Sequence, residues 1–407
     1  MPYIFLTDKD KRELEGKIGA KADKAELEKL NSSFNDLARQ NVNNLVIQKI
    51  KTSGMWVAPK ALNQRFKVFV VGGGGGGGNG GGGGGHIVIK DDIILKEGAK
   101  IDIVCGAGGI GANLNSWQPG TNGGTTSFGD ISAAGGEAGG LNDRNATPIR
   151  HGSGGSGGSG GGGAGTVSVR SQALTGAEIA GDGGNASFGG GGGAGHSKNY
   201  NYSNDAQLVD VAAYSGAGGS AGTHGGKGGS FAETLDPKCT QANVSLVDLL
   251  LNAENLMPLN ISSEAADRCG GASVYGGNGG LSYSGISTTI DIKFSAGGGG
   301  GFASDGGDGY AGGGGGGGFC GRGGRGAAGG VYYNKVYSFG GGGGGGFFCQ
   351  GGDACSYSDD DYTISPGGGG GGFFDDGGSL TTSGSYPGTN GGKGGNGGVL
   401  IMYIKEE

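Results

Sequence analysis

The chain has 407 residues, of which 110 are Gly and only 8 Pro; 34% are apolar and the net charge is −7. Scarce Pro and the lack of a Gly-X-Y period exclude a collagen helix, and the mild charge without a long single-sign block argues against non-specific nucleic-acid binding. No apolar run approaches the ~20 residues that span a bilayer, and the opening MPYIFLTDKDKREL lacks the apolar region of a signal peptide, so a soluble product is expected.

In chain order, residues 23–44 come first. Leu27, Leu30, Phe34, Leu37, Asn41 and Asn44 recur at alternating spacings of three and four, with charged residues around them. This is a heptad seam, and Asn at seam positions can fix register and oligomer state. Gly16 and Gly19 weaken any helix upstream. Under three heptads is short, so two readings stand side by side: an amphipathic helix packed on its own domain, and a short parallel bundle, most simply a trimer. Leu27, Leu30, Phe34, Leu37 and Asn41 are the oligomerisation candidates, and residues 1–45 read as a helical oligomerisation or attachment segment.

Residues 46–110 read as a collar of strands. Phe66, Val68 and Val70 alternate with Lys67, Phe69 and Val71, and the run passes directly into glycine. HIVIK and KIDIVCGAGGIG repeat the pattern of a short β-branched strand handing over to Gly, and GGVLIMYI reverses it in a closing strand over 399–407.

Between them, residues 111–398 form a glycine-rich body with an internal repeat. GGGGGFASDGGD, GGGGGFCGRGGR, GGGGGFFCQGGD and GGGGGFFDDGG share five glycines, a Phe (302, 319, 347, 373), three residues and a Gly pair, at unequal spacing. Ordering a Gly backbone costs about 1–2 kcal/mol per residue and no side chain offsets it. One arrangement exploits glycine nonetheless. In an extended threefold helix the N–H and C=O groups point outward, and chains without Cβ pack side by side and bond to neighbours in several directions. The expected fold class is therefore mainly β and irregular: packed polyglycine-II helices framed by short β-strands, with a short N-terminal α-helical coiled coil. The phenylalanines should cover the margin of the lattice.

Side-chain-rich inserts interrupt the glycine: NLNSWQPGTN, LNDRNATPIRH, HSKNYNYSNDAQLVDVAAYS, VYYNKVYS, CSYSDDDYTISP, and a larger one over 232–268 with a short helix expected around Val244–Leu256. Trp117, Tyr200, Tyr202, Tyr214, Tyr332, Tyr333, Tyr337, Tyr357 and Tyr362 lie in them among Asn, Asp and Ser. Flat rings beside small polar residues suit an adaptable recognition surface, because they give contact area for little rotamer entropy. The competing role for each ring is to cap the lattice.

Little points to chemistry. GxGxxG matches arise by chance in so much glycine, and none opens a βαβ unit. Arg322 and Arg325 look like an RGG element but read as loop residues. Four histidines are scattered, and Asp359–Asp361 lacks calcium-loop spacing. No CxxC pair occurs among six cysteines, so free thiols are expected, with a Cys349–Cys355 bridge as the alternative. The expectation is no enzyme activity, no cofactor and no metal.

The ordered string SGMWVAP, FKVFVVGGGGGGGNGGGGGG, KIDIVCGAGGIGAN, GTNGGTTSFGDISAAGGEAGG and GGKGGNGGVLIMYI resembles the glycine-rich domain of bacteriophage tail fibres, from about residue 46 to the end. Tail-fibre tip adhesins of T-even-type phages are similar in alternating Gly-rich motifs with variable loops. The resemblance implies a polyglycine-II sandwich whose distal loops choose a bacterial surface receptor, a protein or a glycan. It also implies a homotrimer, contact with other fibre or baseplate proteins through the N-terminus, location in the virion, and no nucleic-acid binding or membrane insertion. The ETLDPKCTQANVSLVDLLLN insert and the cysteines depart from that pattern. A structural fibre or decoration protein is the alternative; the Gly-rich ectodomains of animal receptor tyrosine kinases and the glycine-loop proteins of cornified epithelia fit less well.

Overall fold

The computed structural model describes residues 44–406 except 144, 147–148, 171–177, 203–207, 216–217, 224–226, 229–283, 287–290, 294–296, 300, 303, 310–311, 328–334, 360–364 and 381–389. The expected coiled coil over 23–44, apart from Asn44, and the expected helix at Val244–Leu256 lie outside these residues. Within them the fold is β-sheet and irregular backbone, and its one helical element is a 3-10 turn at Leu62–Gln64.

Two four-stranded sheets stand at one end of the molecule. The first contains β1 (Leu45–Ile50), β3 (Arg65–Val71), β4 (Ile87–Ile94) and β17 (Gly398–Ile404), in the order β1-β17-β3-β4. The second contains β2 (Gly54–Val57), β5 (Lys100–Val104), β6 (Thr126–Phe128) and β7 (Ile131–Ala133), in the order β2-β5-β6-β7. Successive residues of a strand point to opposite faces, and β3 is apolar on both because both are covered. Phe66, Val68 and Val70, with Val399, Ile401 and Tyr403 of β17, pack on Ile103, Phe128 and Ala133 of the second sheet. Phe69 and Val71, with Leu400 and Met402, face the other way, onto Phe302, Phe319, Phe347 and Phe373. Lys67 is the polar residue in this run; its ammonium is buried 2.8 Å from the Asp91 carboxylate, which supplies the partner a buried charge requires.

Each phenylalanine of the repeat marks the same chain reversal. Gly315 donates to Gly324 O and Gly318 to Gly321 O around Phe319; Gly343 and Gly346 do the same to Gly352 and Cys349 around Phe347. Gly298 and Gly301 bond to Gly307 and Ser304 around Phe302, and Gly369 and Gly372 to Gly378 and Asp375 around Phe373. The four reversals lie side by side in parallel. Their rings form a ladder with centroid separations of 4.6, 4.7 and 5.6 Å and interplanar angles of 11°, 22° and 20°. Every ring in it is at most 1% exposed. Burying one Phe contributes about 1.5–3 kcal/mol and stacking adds ~0.5–1.5 kcal/mol.

Away from the ladder the glycine segments bond to one another with a period of three. Gly72, Gly75 and Gly78 donate to His86, Gly83 and Gly80; Gly73 and Gly76 donate to Gly124 and Thr121; Gly74 and Gly77 donate to Gly395 and Gly392. The carbonyls of the same segment accept from Gly136 and Gly139, from Gly109 and Ala112, and from Gly370 and Gly367. Six different segments therefore surround Gly72–Gly78, and the backbone satisfies itself without side chains. A Cβ at Gly76 would overlap the carbonyl of Ile110, which is why no larger residue fits there.

On the outer segments, where a neighbour is missing, side chains take its place. Asn396 Oδ1 accepts from Gly108 N at 3.0 Å, Asn122 Oδ1 from Ala138 N at 2.9 Å, and Asp376 Oδ1 from Gln350 N at 2.7 Å. Arg322 and Arg325 belong to this outer layer rather than to a loop: Arg322 lies 3.0 Å and Arg325 3.8 Å from Asp308 on the adjacent segment.

Cys105, Cys320, Cys349 and Cys355 are free thiols, so the alternative of a Cys349–Cys355 bridge does not hold. The Cys349 thiol instead donates to Gly372 O at 2.9 Å.

Candidate functional site

The direction of each glycine segment shows where the inserts emerge. Gly72 leaves the first sheet and Gly78 marks the far end of that segment, where Gly367 N bonds to Gly78 O and Ala112 N to Gly77 O. Segment 367–372 runs from there back to Phe373, and 340–346 and 312–318 likewise end at Phe347 and Phe319. The ladder and the two sheets thus occupy one end, and the described residues that enter and leave the repeats away from the ladder, such as Lys335–Phe339, occupy the other. The turn Asn113–Gln118 follows Ala112 at that far end, and the 141–151 turn leaves it beside Asn79, whose N–H bonds to Gly140 O.

A five-stranded sheet stands there too, in the order β12-β11-β9-β15-β16. Its strands are β9 (Gly165–Arg170), β11 (His196–Tyr202), β12 (Leu208–Ser215), β15 (Lys335–Phe339) and β16 (Ser356–Asp359). β9 and β11 continue glycine segments outward from the lattice, and β15 leads back into one. Two short pairs complete the strands among the described residues: β8 (Ile149–Arg150) with β10 (Glu178–Ile179), and β13 (Ser284–Ile286) with β14 (Asp291–Lys293).

This sheet collects candidates that are scattered in sequence. Tyr200 and Tyr202 lie on β11, Tyr214 on β12, Tyr337 on β15 and Tyr357 on β16. Register sets Tyr200 beside Val169 and Tyr337 beside Val167, in the same alternate set of rows. Tyr214 opposite Ser197 and Tyr357 opposite Ser338 fall in the other set. Tyr332, Tyr333 and Tyr362 lie outside the described residues, as do Leu27, Leu30, Phe34, Leu37 and Asn41.

Trp117 stands apart from the sheet, in the Asn113–Gln118 turn at the same end. It is 37% exposed and has a φ of 54°, a left-handed conformation uncommon for a bulky residue. Asn113 fixes the turn: its N–H and carbonyl both pair with Gln118 at 3.0 Å, and its Oδ1 accepts from Asn115 N and Ser116 N at 3.1 Å.

Among the described residues no group of three or more His, Cys, Asp or Glu side chains could hold a metal ion, and no helix is long and apolar enough to cross a membrane. Burial pushes the Cys320 and Cys349 thiols up to about 12 and Cys355 to about 11, which makes all three poor nucleophiles.

The outer-layer side chains are what reading by composition misses. Their signal is the run X-Gly-Gly: Ser153 and Ser156, or Lys393 and Asn396, stand three apart because one position in three of an outer segment lacks a backbone neighbour.

A family model described as a glycine-rich domain matches residues 51–243. That match covers the second sheet, β3 and β4 of the first and the early glycine segments, and carries no assignment to tail fibres. No curated protein and no solved structure matches the chain.

Proposed function

We propose that this protein is a phage tail-fibre adhesin, in which packed polyglycine-II helices hold a set of loops against a receptor on the bacterial surface. The period-three bonding and the six neighbours of Gly72–Gly78 support the helix assignment, since a threefold helix presents its peptide groups in three directions. The observation that carries the functional reading is segregation. The invariant part of each repeat lies at the capped end, and the inserts rich in Tyr, Trp, Asn and Asp leave the opposite end. The interior glycine segments have no side chains with which to recognise a partner, and the outer-layer side chains are spent on bonds to adjacent segments, so specificity falls to those inserts. The resemblance of the ordered glycine motifs to tail-fibre domains supplies the biological setting: a virion component made in the host cytoplasm and acting at the host surface.

The test is a loop exchange in the full chain. Residues 196–215 or 331–338 are replaced by the corresponding insert of a relative, and binding is measured across a panel of bacterial strains. Redirected binding with unchanged thermal unfolding is the expected result. Unchanged strain preference, together with no binding of the purified protein to any cell, sinks the adhesin reading and favours a structural fibre or decoration role.

A further inference from the structure

Asn79 is the one residue between Val71 and His86 that is not glycine. It stands at the far turn of the first glycine hairpin, where Gly78 N bonds to Gly80 O at 2.8 Å, yet it is only 1% exposed. Its polar groups reach three other stretches of chain. The N–H donates to Gly140 O at 2.9 Å, and the carbonyl accepts from Gly341 N at 3.0 Å, two residues after β15. In the side chain, Oδ1 accepts from Asn142 N at 3.0 Å and Nδ2 donates to Ser365 O at 3.1 Å. These side-chain partners are the roots of two inserts. Asn142 lies at the start of the 141–151 turn and also closes it, its own Oδ1 accepting from Gly152 N at 2.9 Å. Ser365 lies where the chain beyond β16 re-enters the lattice: Cys355 N bonds to Pro366 O at 3.4 Å and Gly367 N to Gly78 O at 2.7 Å. Neither root is open to water, since Asn142 is 8% exposed and Ser365 0%. A primary amide presents a donor and an acceptor side by side, as a peptide group does. Outer-layer Asn and Asp side chains replace a missing neighbour at the rim of the lattice; Asn79 does so inside it. Glycine at 79 would deprive a buried donor on one root and a buried acceptor on the other of that bond.

We propose that Asn79 is a positioning residue for the far-end surface. By bonding to both roots, its side chain holds the 141–151 turn and the 356–366 insert in one fixed relation, so that they meet a partner as a single surface. This rests on the reading of the inserts as the recognising part of the protein. Asn79 is enclosed and acts only through the roots. Inserts held in place beforehand spare the entropy of ordering them on contact, so release of either root weakens binding.

The test compares the full-chain wild type with Asn79→Ala, Asn79→Asp and Asn142→Ala by amide hydrogen exchange. N79A is expected to speed exchange about tenfold in peptides containing Asn142 and in those containing Cys355 and Gly367, with less than about a twofold change around Phe319 and Phe347 in the ladder. N142A is expected to loosen the 141–151 side alone, because it removes the bond to Gly152 and keeps the backbone N–H on Asn79. N79D has the shape of the native residue and carries the test should N79A not fold. Its ionised carboxylate still accepts from Asn142 N but cannot donate to Ser365 O. Relative to the wild type at the same pH, it is expected to loosen only the peptides at Cys355 and Gly367, increasingly as rising pH ionises the buried carboxyl. Binding to a strain that the wild type recognises is expected to fall about tenfold in N79A. Exchange at the two roots that stays as in the wild type, or that rises equally in the ladder, overturns the positioning role. So does undiminished binding by N79A with loosened roots. A wild type that binds no strain defeats the adhesin reading instead, and the exchange pattern alone then decides whether Asn79 holds the two roots together.

Discussion

The rings of Phe319 and Phe347 lie 4.7 Å apart with their planes inclined by 22°, although a complete excursion to the far end of the molecule separates them in sequence. Phe319 also meets Phe69, Phe188, Phe302 and Phe348, so it is an inner rung of the ladder, enclosed by rings on several sides. Phe319→Ala is expected to cost about 3–5 kcal/mol, the range for a buried aromatic cut to Ala. Phe373→Ala, at the end of the ladder, should cost less. Urea unfolding of the two variants, with m unchanged, measures the difference; equal costs would mean that the stacking is incidental.

Two alanine substitutions separate lattice glycines from the rest. Gly76→Ala would drive its Cβ into the Ile110 carbonyl, whereas at Gly54 nothing lies within 4 Å of the new atom. Gly76→Ala should unfold or precipitate the protein, and Gly54→Ala should change stability by less than about 0.5 kcal/mol. Gly318→Val, whose Cβ would strike the Gly346 carbonyl, is a harsher version. Soluble expression and melting temperature report all three, and a normally folded G318V would contradict the close-packed backbone.

The residue after Phe319, Phe347 and Phe373 is held left-handed: φ is 53° at Cys320, 54° at Phe348 and 49° at Phe374. This conformation costs a non-Gly residue about 1–2 kcal/mol, and Gly raises the entropy of the unfolded chain by roughly 0.5–1 kcal/mol. Cys320→Gly should therefore leave stability unchanged or raise it by up to ~1 kcal/mol. Phe348→Gly should lower it, because Phe348 stacks on Phe374 at 5.1 Å with planes 6° apart. Opposite signs in thermal melts of the two variants are the expected result.

Burial raises the thiols of Cys320, Cys349 and Cys355 from 9.0 to about 12, 12 and 11. A folded state that keeps a proton which the unfolded state releases loses stability as pH rises. Their contribution is complete below pH 9.0 and should decline through pH 11–12. The same burial protects them from alkylation at neutral pH. Iodoacetamide should label Cys349 only after denaturation.

The strands that bracket the glycine body in sequence are legible because their periodicity is strong: the apolar run at Phe66–Val71 encodes two covered faces, and the structure assigns one to the second sheet and the other to the phenylalanine ladder. The repeat is legible as a unit because its Phe and its closing Gly pair are fixed by one reversal. The aromatic inserts stand out by composition. Their gathering into one sheet does not, since the order β12-β11-β9-β15-β16 depends on which glycine segments are neighbours, and glycine runs carry no label of their position. The role of Arg322 and Arg325 is obscured for the same reason. The Asp308 that pairs with them is three-dimensionally adjacent only once two segments lie side by side.

The period of three in the backbone bonding governs how such a chain can change length. Adding or deleting one residue within Gly72–Gly78 would turn everything beyond it by a third of a revolution and hand each N–H to the wrong neighbour. Insertions there are tolerable only in threes. At the far end the lattice imposes no such phase, so length can change outside the paired strands, such as Lys335–Phe339, without shifting the register of Gly340–Gly346. Descendants of this protein can therefore acquire new surface at one end almost continuously, while the other end admits change only in whole turns.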